Sequence, residues 1–180
     1  ISKIIGQAFL LAGLVFIPIL LAILSLPFVL RLTGQQAVVL SLAVKYAHAL
    51  VWSAPGVIVL VILEHFLNGI GRTKLSLYIS LIEVPFEILF IYAFVFGKFG
   101  VPAYGIAGVG YGLAASFTIT VAALIAYLQR AAFAKPFHIF KHVFHFDKAY
   151  LKEMIKIGAP IGVMYLIEVS AFAAATLLIG

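Results

Sequence analysis

Two glutamates spaced four residues apart, Glu83 and Glu87 in ISLIEVPFEILF, interrupt an otherwise apolar stretch. On a helix that spacing puts both carboxyls on one face. If the apolar stretch begins at Leu75, they lie about 12 and 18 Å along it at 1.5 Å per residue, on either side of a bilayer midplane. Like charges so close in a low dielectric cannot both stay ionised cheaply, so one holds a proton near neutrality unless a cation sits between them. A proton- or sodium-coupling site needs such an arrangement. Pro85 between them removes a backbone donor and leaves a carbonyl free, which bends the helix or supplies a further oxygen ligand. The plain structural alternative is a protonated pair hydrogen-bonded to neighbouring helices.

Two further glutamates fall within apolar runs. Glu168, in GAPIGVMYLIEVSAFAAATLLIG, lies roughly 24 Å beyond Lys152 along a regular helix. It reads as a functional carboxyl, or else as a neutral acid bonded across a helix interface. Glu64, in LEHFLNGIG, is eight residues before Arg72, and its expected role is to snorkel toward the interface or pair with a base there.

Other patterns carry less chemistry. Gly105, Gly108, Gly110 and Gly112, followed by Ala114, Ala115 and Ser116, form the small-residue stripe that lets membrane helices approach closely. No strand and no phosphate-binding lysine accompany it, so a nucleotide loop is not indicated. Tyr111 within the stripe can offer a hydroxyl to a cavity. His138, His142 and His145 have the spacing of a three-imidazole metal site. The phenylalanines and lysines between them instead favour an amphipathic helix in the headgroup region, and no metal site is expected. No serine-histidine-acid set, HExxH or P-loop is present, so no enzyme is expected.

The elements that position these residues follow from composition. The chain has 180 residues, 65% hydrophobic and 10% charged, with a formal net charge of +6. Soluble domains are about half apolar and about a quarter charged, so a soluble enzyme, a disordered tail and a nucleic-acid binder are excluded. Cysteine is absent, which removes disulfides and thiolate chemistry. Crossing a bilayer takes about 20 apolar helical residues. Stretches near Ile4–Leu30, Val38–Gly69, Leu75–Phe96 and Tyr104–Gln129 qualify, and a fifth opens near Tyr150. The second carries Pro55-Gly56 in mid-span. The expected fold is therefore an all-α polytopic membrane protein of about five transmembrane helices.

Lysine and arginine set the orientation, because short loops rich in them stay cytoplasmic. With the start of the first span inside, Lys3, Arg72, Lys74, Arg130, Lys135, Lys141, Lys148, Lys152 and Lys156 are cytoplasmic, against Arg31, Lys45 and Lys98 outside.

The segment FLNGIGRTKLSLYISLIEVPFEILFIYAFVFGKFGVPAYGIAGVGYGLAAS resembles the fourth-to-sixth helix region of the multidrug and toxic compound extrusion (MATE) family, NorM-like branch. LKEMIKIGAPIGVMYLIEVSAFAAATLLIG is similar to the opening of that family's seventh helix, and the first span resembles helix three. The resemblance implies a piece of a cation-coupled exporter with a two-lobe, twelve-helix fold in the cell inner membrane. Residues 1–130 would be four helices of the N-terminal lobe, 131–149 a cytoplasmic interlobe linker, and 150–180 the first helix of the C-terminal lobe. It implies exchange of amphipathic, often cationic drugs for protons or sodium, with no cofactor beyond the coupling ion. The implied partners are the bilayer, the drug and the remaining helices, with no nucleic acid.

Within that resemblance, Glu83 and Glu87 match two polar positions of the fifth helix, commonly amides or an amide and an aspartate, that help bind the coupling ion. Tyr111 matches a tyrosine of the glycine-rich sixth helix, and Glu168 matches an acidic residue implicated in cation binding in the second lobe. Glutamates in place of amides favour proton coupling. Leu113 stands where some members carry a threonine ligand, which weakens the case for sodium. A lipid-linked oligosaccharide flippase of the same superfamily would need several cationic residues in its cavity, and the spans contain almost none. A non-transporting membrane scaffold would have no use for paired glutamates at the midplane.

Overall fold

The computed structural model describes residues 2–32, 36–134 and 147–179. Every element among them is helical: α1 (Ser2–Leu32), α2 (Ala37–Leu50), a 3-10 turn (Val51–Ser53), α3 (Ala54–Gly69), α4 (Thr73–Phe96), α5 (Ala107–Arg130) and α6 (Lys148–Ile179). Helices satisfy every backbone polar group internally, which is the condition for crossing hydrocarbon. Five spans among the described residues are long and apolar enough to cross: α1, α2 together with α3, α4, α5 and α6. The expected polytopic all-α class is thus observed.

The boundaries differ from expectation where backbone chemistry intervenes. The second span is interrupted at Val51–Ser53 just ahead of Pro55, which has no N–H to donate to the carbonyl of Val51. The chain tightens there into a 3-10 turn and resumes as α3. The fourth span starts at Ala107, three residues later than Tyr104, because Gly105 has φ +56° and cannot continue a right-handed helix. Between α4 and α5, Gly97 caps α4 in the left-handed conformation, and the Lys98 N–H bonds back to the Ala93 carbonyl at 3.0 Å. Despite Pro85, α4 runs unbroken from Thr73 to Phe96.

The small-residue stripe of α5 does what its composition suggested. A Cβ at Gly108 would lie 2.5 Å from the Phe94 carbonyl carbon, and one at Gly112 would lie 2.6 Å from Ile91 Cα, so α5 runs backbone to backbone and antiparallel against α4. On the neighbouring face, a Cβ at Gly110 would fall 2.6 Å from the Ala49 carbonyl carbon. At the 3-10 break the approach is reversed: Gly56 makes room for Phe117 Cβ, 2.7 Å from where its own Cβ would stand. Both contacts of the second span advance with α5 in step, so these two run parallel. Beyond the glycines the same helices close on a core of Leu60, Leu63, Phe66, Leu67, Leu124 and Leu128, capped by Ile5 of α1.

By contrast α6 packs against the bundle through α1. Leu151 and Met154 are half-buried, and residues 155–172 are exposed throughout. His138, His142 and His145, with most of the linker expected as an amphipathic interfacial helix, lie outside the described residues.

Overpacking at the closest glycines gives a direct test. Gly112→Val should force α4 and α5 apart at Ile91 and destabilise the protein by about 1–3 kcal/mol, read as a lowered Tm of the purified protein in detergent. Gly69→Val, where a Cβ meets nothing within 4 Å, should leave the helix packing unaffected.

Candidate functional site

Of the two paired glutamates, Glu83 is the buried one. Its side chain is 8% exposed, and its Oε1 is enclosed without a hydrogen-bond partner. It faces a cavity of about 250 Å³ between α4 and α5, walled mainly by Ile79, Ile82, Phe86, Leu124 and Tyr127. Thr120 and Tyr127 are the polar residues of that wall besides Glu83 itself. Glu83 is ten residues into a 24-residue helix, about 15 Å from its start. Glu87 follows one turn later and is half-buried.

The structure adds a third carboxylate that the sequence had assigned elsewhere. Rather than snorkelling or pairing with a base, Glu64 of α3 accepts a hydrogen bond from Ser80 Oγ of α4, 2.9 Å from its Oε1. The Ser76 carbonyl also lies 3.1 Å from Ser80 Oγ, but a hydroxyl has one proton, and the shorter bond to the carboxyl is the better use of it. Ser80, Glu83 and Glu87 follow one another at three- and four-residue spacing on α4, so Glu64, held by Ser80, lies along the same side of that helix as Glu83 and Glu87. Three acids therefore neighbour one another on α3 and α4, and no cation among the described residues forms an ion pair with them. Nor do three acidic or imidazole groups converge on one metal-sized point among the described residues.

Two polar residues of α5 were also missed. Gly112 sits against Ile91, and α5 runs antiparallel to α4. One turn along each helix therefore brings Ser116 level with Glu87, and a second brings Thr120 level with Glu83. Ser116 is fully buried and its Oγ has no hydrogen-bond partner. The signal was present in the sequence: Ser116 and Thr120 continue the four-residue spacing of Gly108 and Gly112, so they had to face the same helix.

The remaining candidates are not brought to this place. Tyr111 packs edge-on to Tyr104, 5.1 Å between ring centroids, and Tyr104 stacks on Phe94 at 6.1 Å. This aromatic pile stands at the Lys98 end of the bundle, about 13 Å along α5 from Thr120. Glu168 lies on the exposed length of α6, away from Glu83 and Glu87.

Comparison with known proteins gives this arrangement a context. The chain is 33% identical over 167 residues to "Probable multidrug resistance protein NorM" of Listeria monocytogenes, covering 93% of this chain and 37% of that protein. A protein of the same description from Listeria innocua is 34% identical over the same length. "Multidrug resistance protein MdtK" of Pectobacterium atrosepticum is 29% identical over 180 residues, covering 99% of this chain and 39% of that protein. The chain thus spans well under half the length of the curated relatives it matches. The family model described as MatE matches residues 1–93, just over half of the 180. With its membrane-length helices, the chain is a multi-pass membrane protein that belongs to the MatE family.

Proposed function

We propose that these residues are part of a secondary active antiporter in the cell inner membrane, which exports amphipathic, often cationic drugs in exchange for protons or sodium. One observation carries the reading: the buried, unpartnered Glu83 carboxyl at mid-span, with Glu87 on its own helix and Glu64 on the next. An ionisable group at that depth is expensive to keep for packing alone. Uptake of a coupling cation relieves both its desolvation and its repulsion by the neighbouring acids. Glu83 and Glu87 are the binding groups. Glu64, oriented by Ser80, adds negative field, and the Ser116 and Thr120 hydroxyls are available as neutral ligands from α5. The relatives' descriptions as multidrug resistance proteins support drug as the cargo.

Coupling then follows from thermodynamics. Drug leaves when the coupling ion favours one lobe arrangement, and the ion can do so only by binding that arrangement more tightly. No covalent step is required. The second lobe would be supplied by helices beyond those seen here. Glu168 supports this inference, because a carboxyl exposed along an apolar span needs protein or a water-filled cavity against it. There it would serve as a separate cation-binding group of that lobe.

Ion-driven dye efflux from cells or proteoliposomes tests the assignment. Glu83→Gln and Glu87→Gln should each abolish most cation-driven efflux, and Glu168→Gln should impair it while leaving the protein folded; wild-type efflux in all three would defeat the coupling role. Running the assay over proton and sodium gradients separately decides the ion. Glu64→Gln and Ser80→Ala should have a milder effect: a several-fold weaker apparent affinity for the coupling ion, with maximal efflux retained. A loss of maximal efflux equal to that of Glu83→Gln would instead put Glu64 among the binding groups.

A further inference from the structure

A second polar cavity, of about 360 Å³, lies at the end of the bundle away from the Tyr111 pile; it adjoins the Glu83 cavity through Leu75 and Tyr127 but contains none of the carboxylates. Its walls include Arg72, Thr73 and Lys74 at the start of α4, Tyr78 one turn on, and Tyr127 and Phe133 from the end of α5 and the segment after it. Neighbouring cavities are different in kind: the one between α1 and α3 is walled wholly by apolar residues, and the one bordered by α1, α3 and α6 has His65 as its one polar side chain.

The cations of this cavity are placed and uncompensated. The Arg72 guanidinium lies 4.7 Å above the centroid of Phe133, and that ring lies 6.3 Å from the ring of Tyr127. Stacking fixes the guanidinium plane and leaves its edge donors free for an oxyanion. Among the described residues neither Arg72 nor Lys74 has an ion-pair partner. Of the nearest acids in sequence, Glu64 is engaged by Ser80 and Glu83 is buried between α4 and α5. The first turn of α4 contains no acid, and its Thr73 and Lys74 N–H groups have no acceptor, so the local field and the free donors reinforce the side-chain charge. Tyr78, one turn beyond Lys74 on α4, and Tyr127 of α5 also line the cavity.

Depth selects the ligand. Thr73 is the first residue of one membrane-length helix and Arg130 the last of the next, so the cavity opens at the level of lipid headgroups. It is also at the end where lysine and arginine predominate. We propose that this cavity binds the phosphate of an anionic phospholipid headgroup, held by Arg72 and Lys74 and by the tyrosine hydroxyls. The acyl chains would run along the exposed apolar face of α4, where Leu77 and Leu81 are about 60% exposed.

The intact protein, purified and delipidated, can be titrated with phosphatidylglycerol or phosphatidylcholine and its bound lipid counted by native mass spectrometry. Each basic residue at a membrane surface contributes about a factor of five, so Arg72→Gln/Lys74→Gln should weaken phosphatidylglycerol binding about tenfold or more. Phosphatidylcholine binding should not change, and Lys98→Gln, at the other end, should bind phosphatidylglycerol like wild type. Equal phosphatidylglycerol affinity in wild type and double variant overturns the proposal. An inorganic phosphate arm separates the sources: failure of phosphate to displace phosphatidylglycerol supports the lipid. Tight binding of inorganic phosphate that depends on Arg72 and Lys74, without lipid preference, overturns it. If the double variant does not fold, the exposed Lys74→Gln alone should show about a fivefold loss, and no loss would overturn the proposal equally.

Discussion

In a membrane the hydrophobic effect does not press helices together, because lipid tails are as apolar as leucine. What holds this bundle is close approach, and α5 is where it happens. Gly108 and Gly112 bring α4 into backbone contact on one face, and Gly110 does the same for the end of α2. Many weak dispersion contacts accumulate along such surfaces. The orientation of α4 follows from its register on α5, and with it the direction in which Glu83 points.

That register explains how a costly group is kept. Glu83 is buried between α4 and α5 with one oxygen unpartnered, near two other acids. Nothing in the packing of this region requires a carboxyl; a leucine of similar size would fill the space and release the desolvation penalty. The close backbone contact at Gly112 lies only two turns away, so the stable part of the interface supports the strained part. Stability is given up at one point on the helix and secured at the neighbouring one, as expected when a buried polar group is retained for function.

Much of the fold was legible because lipid imposes one strong rule. Residues that must satisfy their own backbone over a bilayer's thickness form long apolar helices, so the five spans could be found from composition and length. The glycine stripe was legible for a related reason, since only closely packed helices need so many small residues in a row. Sequence spacing says less about rotation. Glu64 lies near the end of α3, and depth alone suggested an interfacial role. Its partner Ser80 is 16 residues away across a turn, and only the mutual rotation of α3 and α4 brings them together. Ser116 and Thr120 were overlooked because hydroxyls are unremarkable in membrane helices until a facing carboxylate is known. Tyr111 could not be placed without the loop at Gly97–Gly105, whose left-handed glycines fold Tyr104 back against Phe94.

The helix α4 carries two charge patterns governed by different physics. At its start the positive end of the helix dipole meets Arg72 and Lys74 with no acid in the first turn, an arrangement that is unfavourable until an anion arrives. Eleven residues on, about 16 Å along the axis, the terminal charge of the dipole no longer dominates. Glu83 there feels desolvation and its acidic neighbours instead, and only a cation or a proton relieves both. Reversing the two sets would change both ends: carboxylates at the start would offset the positive end of the dipole, and guanidinium groups at mid-span would leave the centre of the helix basic. The order of charges along α4 thus sets a basic interfacial end apart from an acidic centre on one rigid element, the arrangement on which both proposals rest.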